Sequence, residues 1–413
     1  MTKQIAKTQK KSFSKPAEGL KSVGASLICI LAGILIGFLI MLVSAPALKD
    51  ANAKPLEGLL YLFSGPFTAA KKIKSLGNMI FYSVPLIFTS LSVAVAYKTG
   101  LFNIGAPGQF MVGTMFSLLV ALNIDSTGNT GKGVGVWILA VFVAALGGMI
   151  WGMIPGLLKA FFGINEVIVT IMTNWIAANM FSWVFSLDSM AHLRNTKMGM
   201  TAYLITTDIT GNATPDLGLG NLTQGSYLDI GIFVAVIVAI LCWLLMTKTT
   251  RGYSMRACGL NRYSARYAGI NDRFNIVFAM ALAGALAGLG GAFYYLHGKD
   301  IQYQWMSAYS KLPVEGFNGI AGAFLANCNP LACVFAAIFI KYIAAAGDNL
   351  TSVGYNKYFA DIIIAVIIYL AGFTNFFRNF LSFRKKDNNK EEISALHTRI
   401  LLKGLGKEEG GRK

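Results

Sequence analysis

The side chains that could do chemistry in this sequence are mostly neutral amides and hydroxyls on otherwise apolar segments: Ser83, Thr89, Ser90, Gln109, Asn165, Thr170, Thr173, Asn174, Asn179 and Asn318. Such groups can hydrogen-bond an uncharged hydrophilic solute. They can equally join one membrane helix to another, the commoner role, at roughly 0.6–2 kcal/mol per contact. Ionisable residues in these segments are few: Glu166, Glu315, Lys341 and Asp361. Burying a charge in lipid costs at least a few kcal/mol, so each is a functional candidate, although the three carboxylates fall near segment ends and Lys341 can snorkel. A carrier driven by protons or sodium needs a fuller set.

Reactive motifs are missing. The nearest approach to a phosphate loop, GNTGKG at 128–133, lacks the first glycine at its required offset and the Ser or Thr after the lysine. His192, His297 and His397 are far apart, with no HExxH spacing and no other metal-ligand pattern. No GxSxG elbow raises a serine as nucleophile. Catalysis, metal binding and ATP binding by this chain are therefore not expected, and any ATPase must be a separate subunit.

The elements that carry these residues must lie in lipid. Apolar residues make up 55% of the chain against 13% charged, and the mean hydropathy is +0.56, outside the range of soluble domains. At about 20 residues per span, apolar runs predict helices near 23–45, 77–97, 106–123, 134–160, 166–187, 229–247, 274–296, 314–327, 331–346 and 358–378. The fold class expected is an all-α polytopic membrane protein of about ten transmembrane helices. The run at 314–327, short and interrupted by Gly316, Gly319 and Gly322, reads equally as a re-entrant half-helix or a full crossing. The organisation is a basic cytoplasmic N-terminus at 1–22, a membrane domain at 23–380 and a charged cytoplasmic tail at 381–413.

The net charge of +17 would suit a nucleic-acid binder if it were spread over one surface, but it is concentrated in short segments beside spans. Lysines crowd 1–22, arginines crowd 248–273, and basic residues recur from Arg378 onward. That is the positive-inside signature of cytoplasmic loops. Ten crossings from a cytoplasmic N-terminus also put Lys98 and Lys159 inside. Lys71, Lys72 and Lys74 are the exception, placed outside on an interfacial helix with Tyr61 and Phe67. The five cysteines read as small core residues, and 188–228 becomes the largest external loop, a lid, a docking surface or a connector.

Glycines four apart (Gly33 and Gly37; Gly148, Gly152 and Gly156; Gly284 and Gly288) allow close helix packing. Phe102–Gly105 (FNIG) and Phe317–Ile320 (FNGI) resemble each other, as two inverted-repeat-like halves meeting at a pathway would. The segment 249–271 combines arginines with small residues, a pattern suited to a short helix seated in a partner's groove.

Four stretches in order, GLFNIGAPGQFMVG (100–113), GINEVIVTIMTNWIA (163–177), RACGLNRYSARYAGIN (256–271) and EGFNGIAGAFLANCNPL (315–331), resemble the permease subunits of bacterial nucleoside ABC importers. These belong to a wider group serving ribose-type sugars and branched-chain amino acids. The resemblance covers about 23–380. It implies a multi-pass protein of the bacterial cytoplasmic membrane that translocates nucleosides or, alternatively, a simple sugar. An ion-coupled secondary transporter is the more distant alternative. The implied partners are a cytoplasmic ABC ATPase that uses the ATP, a second homologous permease and an extracellular substrate-binding lipoprotein. By the same resemblance Arg256, Ala257, Gly259, Asn261, Ala265 and Gly269 form the ATPase-coupling segment, and Asn103, Gln109, Glu166, Asn174 and Asn318 are expected to line or shape the substrate pathway.

Overall fold

The computed structural model describes residues 15–47, 54–69, 71–193, 211–297, 311–356 and 358–373, and every regular element among them is helical. In chain order they are α1 (Lys15–Ser44), α2 (Pro55–Ser64), α3 (Lys72–Lys98), α4 (Ala106–Asn123), α5 (Thr130–Phe162), α6 (Glu166–Ser186), α7 (Leu219–Leu222), α8 (Gly231–Lys248), α9 (Thr250–Leu260), α10 (Arg262–Tyr267), α11 (Asp272–Tyr295), α12 (Val314–Leu325), α13 (Pro330–Leu350) and α14 (Tyr358–Ala371). Eight of these, α1, α3, α4, α5, α6, α8, α11 and α13, are long and apolar enough to cross a bilayer. The all-α polytopic class holds. His397 and most of the expected terminal segments 1–22 and 381–413 lie outside the described residues.

Side chains set the helix limits locally. Asn165, Asn271 and Asn329 each accept a backbone N–H from the first turn of α6, α11 and α13, satisfying donors that a helix start leaves open. Gly163, left-handed at φ +70°, ends α5 as a glycine can without a Cβ clash. Lys72 and Lys74 begin α3 rather than an interfacial helix, and Tyr61 lies on the separate short helix α2.

Helix α3 is the hub, with 89% of its most apolar window buried against 22% for α1 and 28% for α8. Around it pack α11, α12, α13 and α8, while α4 and α5 complete the other side of α11. The glycine pairs read from the sequence find each other. A Cβ on Gly152 would lie 2.9 Å from the Gly284 Cα, and one on Gly148 would lie 3.0 Å from the Gly288 Cα, so α5 and α11 meet backbone to backbone. Gly33 and Gly37 of α1 make room for the Ile367 and Ile363 side chains of α14. Dispersion at such contacts replaces the hydrophobic drive that lipid cannot supply.

The ambiguous run at 314–327 is a half-helix. Twelve residues reach about 18 Å, short of a core about 30 Å thick. Its start is level with the middle of α3, where Thr89 Oγ1 donates to the Glu315 carbonyl at 3.0 Å, and its end lies where Phe324 meets Tyr97 at 5.2 Å. The 311–313 segment therefore reaches mid-depth before α12 begins.

The described part of the expected external loop is strapped down. Asn212 donates to the Ala121 carbonyl at 2.8 Å, Trp137 donates to Thr214 at 3.0 Å, and the Thr214 amide reaches the Leu296 carbonyl at 2.8 Å. Tyr227 N donates to Asn78 at 2.9 Å, and buried Asp229 holds His297 at 3.0 Å. This segment thus ties together the ends of α3, α4, α5 and α11.

Candidate functional site

A buried amide cluster shapes the break between α3 and α4. Asn103 donates to Ser92 Oγ at 3.1 Å and to Gln109 Oε1 at 2.8 Å, and its own oxygen accepts from the Gly105 amide at 3.0 Å. Asn174, on α6, accepts from the Gly108 amide at 2.9 Å and donates to the Ile104 carbonyl at 3.0 Å. The three amides are at most 1% exposed. Backbone groups in a helix break need such partners inside a membrane, so Asn103, Gln109 and Asn174 hold a turn in place.

That turn places the start of α4 against the start of α12. A Cβ on Gly316 would lie 2.6 Å from the Pro107 nitrogen, so the two helices begin side by side in the interior. Helix starts at mid-depth with irregular backbone beside them occur where membrane transporters bind solute. FNIG and FNGI converge at this junction, the first as the break before α4 and the second within the opening turns of α12. Asn318 is half-buried and shares an α12 face with Glu315. Of the intramembrane ionisable residues, Glu315 and Lys341 are half-buried and Asp361 is exposed.

Glu166 is placed differently. At the start of α6 it pairs with Lys159 at 2.7 Å across the α5–α6 turn, at the basic end of the bundle.

The 249–271 segment folds at this same end as α9 and α10, capped by Thr249 and Asn261, whose oxygens accept from the Gly252 and Ser264 amides at 3.0 Å. Gly259 packs on the Lys98–Gly100 turn. Asp272, 3% exposed, accepts from Arg266 Nη2 at 2.8 Å and from Arg262 Nε, tying α10 to the first residue of α11. The bond to Asp272 also raises the Arg266 pKa. Of the residues singled out for coupling, Arg256, Asn261 and Gly269 are exposed, Ala257 and Gly259 are half-buried, and Ala265 is buried.

The sequence reading missed the apolar part of this surface. Leu260 is 90% exposed and Tyr267 95%, with Tyr253 and Tyr263 also turned outward. Large apolar groups this exposed at a membrane protein's polar end mark a contact site. The signal present in the sequence was Tyr263 and Tyr267 four apart among arginines.

Among the described residues no group of three His, Cys, Asp or Glu side chains could hold a metal ion, and the five cysteines are all buried.

Helix breaks meeting at mid-depth, intramembrane polar groups and an exposed two-helix segment at the basic end define a membrane permease, which moves a solute without transforming it. Residues 75–372 match the family described as branched-chain amino acid transport system / permease component, and the chain belongs to that family. It is 35% identical over 344 residues to the guanosine ABC transporter permease protein NupP of Bacillus subtilis, covering 83% of this chain and 90% of the relative. Against the nucleoside ABC transporter permease protein NupB of Lactococcus lactis it is 34% identical over 350 residues, 84% and 90% of the two chains. The glucose ABC transporter permease protein TsgB13 of Haloferax volcanii is 26% identical over 377 residues, 89% and 92%. No solved structure matches the chain.

Proposed function

We propose that this permease carries nucleosides inward across the bacterial cytoplasmic membrane as the spanning subunit of an ATP-driven ABC importer. The observation that carries the reading is the identity to guanosine and nucleoside permeases, 35% and 34%, sustained over more than four-fifths of this chain. The basic end that holds Lys98, Lys159 and the α9–α10 segment faces the cytoplasm, in keeping with the positive-inside rule, and both termini lie on that side.

In this reading a separate ATPase consumes the ATP. It docks on α9 and α10 through Arg256, Asn261, Gly269 and the exposed Leu260, Tyr253, Tyr263 and Tyr267, while Ala257, Gly259 and Ala265 hold the docking helices to the bundle. A second, homologous permease completes the pathway, and an extracellular lipoprotein delivers the nucleoside to the strapped external end. ATP-driven movement of α9 and α10 is passed to α3 through Gly259 and to α11 through Asp272. It alternates access to the junction of α4 and α12, which Asn103, Gln109, Asn174 and Asn318 shape and Glu166 braces from the cytoplasmic end. Access alternates only if the solute's affinity differs between states.

Uptake of radiolabelled nucleosides by cells with and without the gene tests this, in a strain lacking redundant transporters and with unlabelled nucleosides or ribose as competitors. Loss of uptake that nucleosides compete for and ribose does not is expected. Unchanged nucleoside uptake would move the cargo to a sugar.

A further inference from the structure

An aromatic nest lies on the outer side of the junction between α4 and α12. It is made by Phe81 and Tyr82 of α3, Tyr294 of α11 and Tyr227 of the external strap, whose neighbouring rings have centroids 5.3–6.2 Å apart. The His297 imidazole joins them, 4.5 Å from Phe81 and 5.3 Å from Tyr227. Phe81 and His297 are buried, and the three tyrosines are half-buried.

Helix register fixes the depth of this nest. Tyr82 precedes Thr89 by two turns on one face of α3, and Thr89 meets the Glu315 carbonyl at the start of α12. Tyr82 thus stands about 10 Å outward of that start, and α12 runs the other way, toward Tyr97. On α4, Phe110 comes one turn after Pro107, which abuts Gly316, and its ring lies 6.5 Å from Tyr294. The rings therefore stand between the strapped external end and the junction.

The polar member of the nest is held but not satisfied. Asp229, 2% exposed, accepts the Gly231 amide on Oδ1 at 2.8 Å and faces His297 Nδ1 with Oδ2 at 3.0 Å. A carboxylate only accepts, so Nδ1 carries the proton and Nε2 of the neutral ring is an acceptor. His297 is 3% exposed, and its Nε2 has no hydrogen-bond partner among the described residues. Buried polar atoms in folded proteins are nearly always paired, and apolar packing alone calls for neither an imidazole nor a carboxylate. An acceptor held among aromatic rings suits a solute with a flat face to stack and N–H donors on its edge, as a nucleobase has.

We propose that Tyr82, Tyr227, Tyr294 and His297 form an outer recognition site for the permeant, where the base stacks on the tyrosines and donates an edge N–H to His297 Nε2; this rests on the nucleoside reading above. The rings touch one another in this structure, so the site opens as they part and closes behind the solute on its way to the junction. Asp229 is a positioning residue that fixes the imidazole.

The assembled transporter, nucleotide-free and ATP-trapped in turn, is photolabelled with 8-azidoguanosine in the presence of excess guanosine, ribose or neither, and the modified residues are mapped by peptide mass spectrometry. Label on Tyr82, Tyr227, Tyr294 or His297 is expected in at least one state, reduced at least fivefold by guanosine and unchanged by ribose. Label confined to other residues, no label in the permease, or label at the nest that guanosine leaves unchanged or ribose reduces equally would each overturn the proposal. His297→Phe keeps a ring and removes the acceptor, and Tyr294→Leu removes a ring and keeps the Asp229–His297 pair. Each should raise at least fivefold the guanosine concentration that halves the remaining label. Slowed uptake with that concentration unchanged in both variants would make these residues mere ties of the strap and end their recognition role. Wild-type guanosine uptake is measured in parallel. If it is intact while the nest is unlabelled, only the site assignment falls; if it is absent, the cargo reading falls and base recognition with it.

Discussion

Gly259 approaches Gly100 so closely that a Cβ at 259 would lie 2.9 Å from the Gly100 nitrogen. Gly100 itself is left-handed at φ +79°, a conformation that favours glycine. The contact seats α9 on the end of α3, the most enclosed span, so a displacement of α9 reaches the centre of the bundle. Gly259→Ala must push the two apart, an overpacking cost of about 1–3 kcal/mol. Nucleoside taken up per ATP hydrolysed should fall about tenfold, or 1.4 kcal/mol, with the protein still in the membrane. Arg256→Ala, on the exposed side, should also lower coupling. Uptake and hydrolysis measured in the same vesicles check this, and unchanged coupling in both variants would remove the docking role.

Asp272 receives both Arg262 and Arg266. Asp272→Asn keeps the shape and removes the charge, and because both arginines are partly exposed the loss should be modest, about 1 kcal/mol. The freed α10 should be cut by trypsin after Arg262 or Arg266 several-fold faster. Arg266→Gln should do less, since Arg262 still holds the carboxylate.

The Cys258 thiol reports the same event. Burial, and then the charge of Asp272, raise its pKa, so the thiolate forms at higher pH than for an ordinary cysteine and is scarce near neutrality. Alkylation of Cys258 should be slow at pH 7.5 and quicken only above the usual thiol range. Asp272→Asn removes one of the two causes, so the onset should move to lower pH. An unchanged pH profile would separate Cys258 from the ion pair.

Gly284 takes the close contact with Gly148 and Gly152. Gly284→Val puts a branched side chain where backbones touch, so the folded protein should lose about 1–3 kcal/mol or more. The melting temperature of the detergent-solubilised protein would show it, and an unaltered value would mean that α5 and α11 can separate freely.

Asn174→Ala leaves the Gly108 amide and the Ile104 carbonyl without partners, at about 1–3 kcal/mol for a buried group. Uptake should fall equally for every nucleoside, as expected of a residue that shapes the pathway. A change in the order of competing nucleosides would instead place Asn174 in contact with the solute.

Spans were legible because their signal is local: a run of apolar residues is lipid-compatible whatever packs beside it, and α3, α4, α6 and α11 begin and end within a few residues of expectation. The glycine motifs were legible as packing positions, but their pairing, Gly148 and Gly152 with Gly284 and Gly288, depends on how distant helices cross. The amides were visible and their allegiance was not. Asn174 finds partners at Ile104 and Gly108, which only the folded chain brings near, whereas Asn179, one turn further on, faces out. Composition gives both the same appearance. Leu260 and Tyr267 escaped notice because an apolar side chain signals a contact surface only once it is known to be uncovered.

The most direct test of ATP-driven nucleoside import is uptake of radiolabelled guanosine into proteoliposomes holding this permease with its partner permease, ATPase and binding protein. Accumulation should require ATP on the side of α9 and α10, stop with a non-hydrolysable analogue, and ignore imposed proton or sodium gradients. Guanosine entry that follows an ion gradient with the ATPase omitted would contradict the account.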